Sequence, residues 1–188
     1  MSPEAREQLE MIWPTGAASA PPPAPFPSGY SLRTYRPGDE PGFAYLMERA
    51  GFGEWGPERI EAAKRDILPG GWFFVVHGGC GAIVSTAQAD HRPAPRHPFG
   101  GELGWVATDP DHRGTGLAEA VSAAAVRRLL AAGYDRIYLR TDDVRIAAVR
   151  LYVRMGFVPY LFSDDMRGRW RALAEGLGFP YTPERWPV

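Results

Sequence analysis

One strand–helix–strand run constrains the fold of this chain more than any other feature. Thr115–Ala132 carries apolar residues at helical spacing along one face and is followed by Gly133, a typical helix stop. Strand-like segments lie on either side of it, Glu102–Thr108 before and Arg136–Arg140 after. Because a crossover helix joins parallel strands, the second half of the chain should contribute parallel neighbours to a sheet.

The first half of the chain carries hairpin signals, which require antiparallel strands. Trp72–His77 and Gly81–Ala87 are rich in β-formers, and a glycine pair between them predicts a turn. A strand at Tyr30–Tyr35 and two helices precede this hairpin, the second helix running from Pro57 through Ile67. The predicted order is β-α-α-β-β-β-α-β-α-β, an α/β (α+β) class with a mixed sheet and helices on its faces.

The two chain ends are predicted as extensions of one domain. Residues 2–12 suit a short polar helix, and Ala17–Ser28, with its run PPPAPFP, is typical of an extended linker. We expect an N-terminal extension at 1–28 and a compact domain at 29–163. The remaining residues, 164–188, form a C-terminal extension that packs on the domain or on a partner subunit.

Composition narrows the class of protein. Among 188 residues, 21 basic and 22 acidic side chains leave a net charge of −1, which gives no long-range attraction to nucleic acid or anionic membrane. The single cysteine, Cys80, excludes an internal disulfide framework. Glu4, Glu7 and Glu10 stand where a secretory signal is uncharged. We expect a soluble cytoplasmic protein that binds neither nucleic acid nor membrane.

The glycine segment Arg113–Ala118 is the part of the chain best suited to chemistry. It places Gly114 and Gly116 between a strand and the start of the most regular helix. Glycines here let backbone N–H groups approach a ligand, and a helix N-terminus adds partial positive charge. The pattern predicts a phosphate or pyrophosphate site, or else only a tight turn that starts a helix. No lysine follows Gly116, which excludes a Walker loop.

Two segments resemble the sequence motifs of one enzyme family. The glycine segment is similar to motif A of the GCN5-related N-acetyltransferase (GNAT) superfamily, Q/R-x-x-G-x-G/A, with Arg113, Gly116 and Ala118 at the defining positions. Ala148–Phe157 is similar to its motif B, A-x-x-L-Y-x-x-x-G-F. The order of elements extends the resemblance over residues 30–162.

The resemblance implies a fold, a co-substrate and a binding site. The fold is a mixed, mainly antiparallel central sheet with helices on both faces, and the co-substrate is acetyl-CoA, used without a metal. The pantetheine arm would bond to main-chain groups of the family's fourth strand, and the pyrophosphate would lie on the motif A loop. The implied cofactor-binding residues are Val106, Ala107 and Thr108 on the strand, and Arg113, Gly114, Thr115, Gly116, Leu117 and Ala118 in the loop. Arg145 stands where members often have an asparagine, which would either move a contact to CoA or put a cation near its phosphates.

Two side chains are implied in the transfer itself. Tyr152 of motif B is the expected general acid for the leaving thiolate, and the alternative is an aromatic that packs beside Leu151 under the sheet. Glu102 is the expected base, because some members carry a glutamate on this strand. The alternative for its position is a surface-facing carboxylate. The alternatives for the base are ordered water and an acceptor amine that is already neutral when it binds, so that no base is needed. Strand alternation places Glu102, Gly104 and Val106 on one face.

The remaining polar residues are given structural roles. One of Asp142 and Asp143 is expected to cap the motif B helix, and the other to attract a cationic amine. The histidines and arginines of loop 90–100 are expected in solvent, since their spacing fits no zinc site. Core positions are expected for Trp55, Trp72, Trp170 and Trp186.

We therefore expect an N-acetyltransferase, an acyltransferase that moves an acetyl group from acetyl-CoA to an amine of a small-molecule acceptor by direct attack. A main-chain amide near Ala107 would polarise the thioester carbonyl. The alternatives are a transferase for a longer acyl group, a non-catalytic acyl-CoA-binding sensor, and a general nucleotide-phosphate site. Family members are often dimers, so a homodimer is possible.

Overall fold

The structure is a computed structural model, and it describes residues 7–14, 20–22 and 26–186. The chain divides into two compact units. The central unit comprises residues 18–137, and the terminal unit comprises residues 1–17 together with 138–188. The helix predicted at 2–12 and the linker predicted at 17–28 lie partly outside the described residues.

The strands of the central unit form an antiparallel ladder in chain order. Each pairs with the next: β2 (Tyr30–Thr34), β3 (Ile67–His77), β4 (Ile83–His91) and β5 (Gly101–Thr108). The beginning of β3 contains Pro69, Gly70 and Gly71. In this segment, between Ile67 and Trp72, the register of the pairing with β4 shifts. Gly70 has a φ of +67°, so this irregularity is where a proline and two glycines fit within a strand.

Helices cover both faces of this ladder. On one face lie α1 (Glu40–Arg49) and α2 (Pro57–Lys64), and α1 buries Phe43, Leu46 and Met47, which fall on one helical stripe. They form a core with the side chains of β3, chiefly Trp72 and Phe74.

The opposite face of the ladder packs against α3 (Leu117–Ala131), which follows a short 3₁₀ turn at Pro110–His112. A Cβ added to Gly101 of β5 would lie 2.6 Å from a methyl carbon of Leu129 in α3. Glycine is therefore the residue that lets this helix approach the strand closely.

The terminal unit is built from both ends of the chain. Its strands are β1 (Leu9–Ile12), β6 (Ile137–Thr141) and β7 (Val158–Pro159), and β1 pairs antiparallel with each of the other two. Its helices are α4 (Ile146–Met155) and α5 (Asp164–Leu177), with a 3₁₀ turn at Pro183–Arg185. All four residues of β1 are buried, as expected for a strand with neighbours on both sides.

The predicted order of elements is confirmed from β2 to β7, and two predicted helices need correction. Residues 9–12 form strand β1 rather than part of a helix, because pairing with β6 and β7 overrides the weak local helical pattern. Ile67 begins β3 and does not extend α2, which ends at Lys64. The four tryptophans expected in the core are buried. Among the described residues, no helix has the length and apolar character needed to cross a membrane.

Candidate functional site

Strand β5 carries a bulge in its middle. In the ladder with β4, Gly104 lies opposite Gln88 and Ala107 lies opposite Thr86, so two residues of β5 face one residue of β4. Trp105, inside the bulge, has a φ of 45°, a conformation that is rare for a bulky side chain. A bulge leaves its extra residue out of the ladder. Main-chain groups of β5 are thus available to a ligand at this point.

The bulge also changes which side chains share a face. Residues opposite each other in an antiparallel ladder lie on the same face, and the partners of Glu102 and Ala107 are Asp90 and Thr86, four residues apart on β4. Glu102 and Ala107 therefore lie on the face covered by α1 and α2. The prediction that Val106 shares the face of Glu102 is wrong, since the extra residue shifts the alternation.

The glycine segment forms an exposed loop that leads into α3. Gly114 and Gly116 have φ values of +78° and +86°, which glycine adopts without strain, and a Cβ on either would meet open space. Gly116 is the N-cap residue of α3, and no side chain of the described residues caps this helix end. The first backbone N–H groups of α3 therefore remain available for an anion.

Asp109 holds the approach to this loop in place. Its carboxylate accepts from the backbone N–H of Asp111 at 2.9 Å and forms an ion pair with Arg49 of α1 at 2.6 Å. The hydrogen bond from Arg49 lowers the pKa of Asp109, more than burial raises it. Thr115 donates from Oγ1 to the carbonyl of His112 at 2.7 Å. Asp109 was not among the predicted site residues, although an Asp that follows a strand and precedes a Pro is a typical cap residue.

Side chains also engage the carbonyl groups at the end of β5. The Ser85 hydroxyl donates to the Ala107 carbonyl oxygen at 2.8 Å, and it lies 2.8 Å from Oγ1 of Thr108. Because the Ser85 proton is used, the Thr108 hydroxyl is the donor in the second contact. Nε of Arg113 donates to the Thr108 carbonyl at 3.3 Å. These contacts fix the strand end that leads to the loop.

Glu102 is buried, so the alternative of a surface-facing carboxylate is wrong. Its side chain is 7% exposed, and Oε2 lies 3.3 Å from Nε of Arg92. Arg92 also pairs with Asp66 at 3.5 Å, and His97 is buried, with Nδ1 accepting from Nε of Arg136 at 2.9 Å. The expectation that the loop histidines and arginines are all solvated is wrong for His97, whereas the Arg92 side chain is 40% exposed.

Asp90, opposite Glu102, is a residue that the sequence analysis placed at the start of a loop. It lies instead near the end of β4 and is 1% exposed. Burial is the largest cause that raises the pKa of Asp90 to about 8, and the charge of Glu102 is the next. The signal was the alternation of polar residues at Thr86, Gln88 and Asp90, which places three polar side chains on one face of a strand.

Tyr152 lies in α4 of the terminal unit. It is buried, and its ring packs edge-on against Phe157 at a centroid distance of 6.0 Å. Burial raises the pKa of its hydroxyl above the ordinary value, although the charge of Arg145 opposes this. The hydroxyl is therefore protonated throughout the neutral range, as both a packing role and an acid role require.

The aspartates before α4 do not cap it. The N-cap residue is Arg145, so the cap predicted at Asp142 or Asp143 is wrong. Asp142 accepts from Nε of Arg145 and from the amide of Gln8, both at 3.0 Å. Asp143 forms an ion pair with Arg169 of α5 at 2.5 Å. Both carboxylates thus contribute to contacts within the terminal unit.

Comparison with known proteins agrees with this arrangement. A family model described as "Acetyltransferase (GNAT) family" matches residues 41–157. A mycothiol acetyltransferase of Thermobispora bispora is 34% identical over 157 residues, which cover 76% of this chain and 51% of the relative. A mycothiol acetyltransferase of Saccharomonospora viridis is 29% identical over 165 residues, 81% of this chain and 53% of the relative. The chain thus spans about half the length of these curated relatives.

A solved structure shows the same fold. The GCN5-related N-acetyltransferase from Sphaerobacter thermophilus is 27% identical, with a TM-score of 0.61 over 82% of this chain and 49% of that chain. The ribosomal-protein-S18-alanine N-acetyltransferase from Escherichia coli has a TM-score of 0.54 over 69% of this chain and 77% of that chain, at 21% identity. The predicted fold class, a mixed and mainly antiparallel sheet with helices, is confirmed. The chain belongs to the GNAT family of acetyltransferases.

Proposed function

We propose that this protein is an acetyl-CoA-dependent N-acetyltransferase that transfers an acetyl group directly to an amine of a small molecule. The observation that carries the proposal is the uncapped N-terminus of α3, which follows two left-handed glycines and the bulged strand β5. The N-terminus of α3, the glycine loop and strand β5 all lie within residues 41–157, the part of the chain that matches the family.

The residues present fit acetyl-CoA. The loop of Arg113–Ala118 offers backbone N–H groups in open space, which suits a pyrophosphate, and Arg113 adds an exposed guanidinium. Val106 and Thr108 of β5 are partly exposed and suit an extended pantetheine arm. When bound, acetyl-CoA supplies the thioester whose acyl group is transferred.

The chain's own residues would carry the proton transfers. Main-chain N–H groups freed by the bulge, near Ala107, would polarise the thioester carbonyl while the amine nitrogen bonds to its carbon. Glu102 would accept the proton that this nitrogen loses, and Tyr152 would donate one to the thiolate that leaves. An acceptor that arrives as an ammonium first releases one proton to solvent, and the transfer then forms one amide and one thiol from one amine and one thioester.

We infer an acceptor with a cationic amine. The Glu102 side chain lies on the α1 and α2 face of β5, and a carboxylate there favours an ammonium over an anionic acceptor. The curated relatives are named mycothiol acetyltransferases, so a mycothiol-type acceptor belongs among the first compounds to test.

Calorimetric titration of the full chain with acetyl-CoA, with ATP as the control, tests the cofactor site. We expect saturable one-to-one binding of acetyl-CoA and no heat from ATP. Equal binding of both would favour a general nucleotide-phosphate site, and tighter binding of a longer acyl-CoA would favour a longer donor.

An assay of thiol release over a panel of cationic, neutral and acidic amines then tests the reaction. We expect turnover with cationic amines. Binding of acetyl-CoA without turnover of any amine would instead identify a non-catalytic acyl-CoA-binding sensor.

A further inference from the structure

Buried polar side chains gather on the face of β4 and β5 that α1 and α2 cover. Gln88, Asp90 and Glu102 are 0%, 1% and 6% exposed. Both amide atoms of Gln88 and Oδ1 of Asp90 have no hydrogen-bond partner among the described residues. Buried polar groups are normally paired, so a set like this calls for a functional explanation.

Gly104 fixes the position of the Asp90 carboxyl group. A Cβ added to Gly104 would lie 2.3 Å from Oδ2 of Asp90 and 3.7 Å from Cβ of Gln88. The Asp90 carboxyl group therefore lies directly against the backbone of β5, in space that any other residue at 104 would fill. On the same strand, Glu102 is the direct ladder partner of Asp90.

Three charged side chains, Glu102, Asp66 and Arg92, lie near Asp90 and affect its protonation. Arg92, after β4, forms ion pairs with Glu102 at 3.3 Å and with Asp66, before β3, at 3.5 Å. Asp90 has no ion-pair partner among the described residues. Glu102 and Asp66 both favour a protonated Asp90, and Arg92 opposes them. Two buried carboxyl groups side by side retain a proton, because both cannot ionise at low cost.

We propose that Asp90 is a positioning residue for Glu102: the two carboxyl groups act as one buried pair, and Asp90 retains the proton that Glu102 receives from the attacking amine. This inference rests on the proposed acetyltransferase function. In the step, the nitrogen–carbon bond forms and the sulfur–carbon bond breaks. In the form of the pair in which Asp90 is ionised, the nitrogen proton passes to Glu102 and on to Asp90, while the thiolate is protonated by the general acid.

The pH dependence of kcat at saturating acceptor tests the role of Asp90. The wild-type rate should rise with pH, with a midpoint near the pKa of about 8 that burial and Glu102 give Asp90. In Asp90→Asn the rise near pH 8 should be lost, because the group whose pKa burial raises to about 8 is no longer there. The plateau rate should fall by about tenfold, because Glu102 then lacks the partner that keeps its proton.

Asp66→Asn is the matched control. It removes the same charge from the other side of Arg92, where the carboxylate is 44% exposed and screened by water. Its pH profile should keep the rise near pH 8, with a midpoint moved down only slightly, because the charge of Asp66 is the weakest of the causes that raise the pKa of Asp90. If Asp90→Asn kept the wild-type pH profile, with its rise near pH 8, the proposal would be overturned. The loss of a residue with a merely structural role changes the rate but not the pH at which kcat rises.

A second measurement needs neither a variant nor activity. Carbon-13 NMR titration of the carboxyl carbons in the wild-type chain should show Asp90 titrating in a step near pH 8. A titration of Asp90 below about pH 5 would overturn the pair. Gly104→Ala displaces the Asp90 carboxyl group without removing it, and it should lower the pH at which this titration step occurs. Failure of every amine to react would overturn the proposed function, while the titration would still decide whether the pair holds one proton.

Discussion

Single glycines decide whether the loop before α3 can hold an anion. Gly116 has a φ of +86° and Gly178, at the end of α5, has a φ of +71°, and a Cβ on either would meet open space. Alanine at either position costs about 1 kcal/mol of backbone strain. The two substitutions are therefore matched in strain and differ in where the added methyl group lies.

We predict that Gly116→Ala raises the Kd for acetyl-CoA by about tenfold or more, because its methyl group occupies the approach to the α3 amides. Gly178→Ala should leave that Kd unchanged, with a similar loss of stability. Calorimetric titration and thermal melts of both variants measure the two effects. An equal Kd for both would mean that the loop is only a turn.

The role of the Tyr152 hydroxyl can be tested separately from the packing of its ring, because phenylalanine keeps the ring and lacks the hydroxyl. Burial raises its pKa, so the proton is present over the whole assay range. We predict that Tyr152→Phe lowers kcat by about a hundredfold or more and leaves the Kd for acetyl-CoA unchanged, since the ring still packs against Phe157. Tyr160→Phe, in the same unit, is the control. An unchanged kcat in Tyr152→Phe would assign Tyr152 to packing alone.

Asp90 should also make stability depend on pH. Its pKa is raised from 3.8 to about 8 in the folded chain, so between these values the folded state binds more protons than the unfolded state. The free energy of unfolding should therefore fall as pH rises through this window, by a few kcal/mol in all. Asp90→Asn should lose this slope and be more stable than wild type above pH 8. Urea unfolding at several pH values measures both, and parallel curves for the two proteins would contradict the prediction.

At the scale of elements, α1, α2 and the end of β2 are held together by one charged contact. Lys64 at the end of α2 lies 2.6 Å from Glu40 at the start of α1, and Tyr35 donates a hydrogen bond to the same carboxylate. The hydrogen bonds from Lys64 and Tyr35 lower the pKa of Glu40 to about 2. The stabilisation is therefore complete above the ordinary Glu range and is lost as pH falls toward 2.

We predict that Glu40→Gln lowers the free energy of unfolding by about 1 kcal/mol at pH 7, with the difference vanishing near pH 2. Glu61→Gln removes the other partner of Lys64, a carboxylate that is 64% exposed, and should cost less than about 0.5 kcal/mol. Urea unfolding of both variants gives the comparison. A Glu40→Gln deficit that persists at pH 2 would show that packing, not charge, is lost.

Sequence patterns predicted those elements whose partners are close in the chain. The α3 region carries its own glycine loop, apolar stripe and helix stop, so both the element and its candidate anion site follow from local residues. The bulge at Trp105 could not be predicted, because it depends on how β5 pairs with β4. Asp90 was missed for the same reason, since its burial beside Glu102 comes from strand register and from Gly104.

At the scale of the whole molecule, residues 9–12 near the N-terminus form a buried strand that their local composition does not indicate. An extension is predicted at 1–28, yet β1 lies between β6 and β7, whose residues are more than a hundred positions further along the chain. Leu9 and Met11 are fully buried, and Trp13 packs edge-on against Phe157 at 5.2 Å. Local patterns miss such a strand because its partners are distant in sequence and β-propensity depends on context.

A charge placed in β1 tests whether this strand is integral. We predict that Met11→Asp lowers the free energy of unfolding by about 3–5 kcal/mol, because it buries an unpaired carboxylate in the middle strand of the terminal unit. Leu32→Asp makes the same kind of change on β2, where the side chain is 38% exposed, and should cost about 1 kcal/mol or less. Scanning calorimetry of the full chain measures both. Equal and small losses would support a dispensable extension, whereas the predicted difference would make residues 9–12 part of the folded core of the terminal unit.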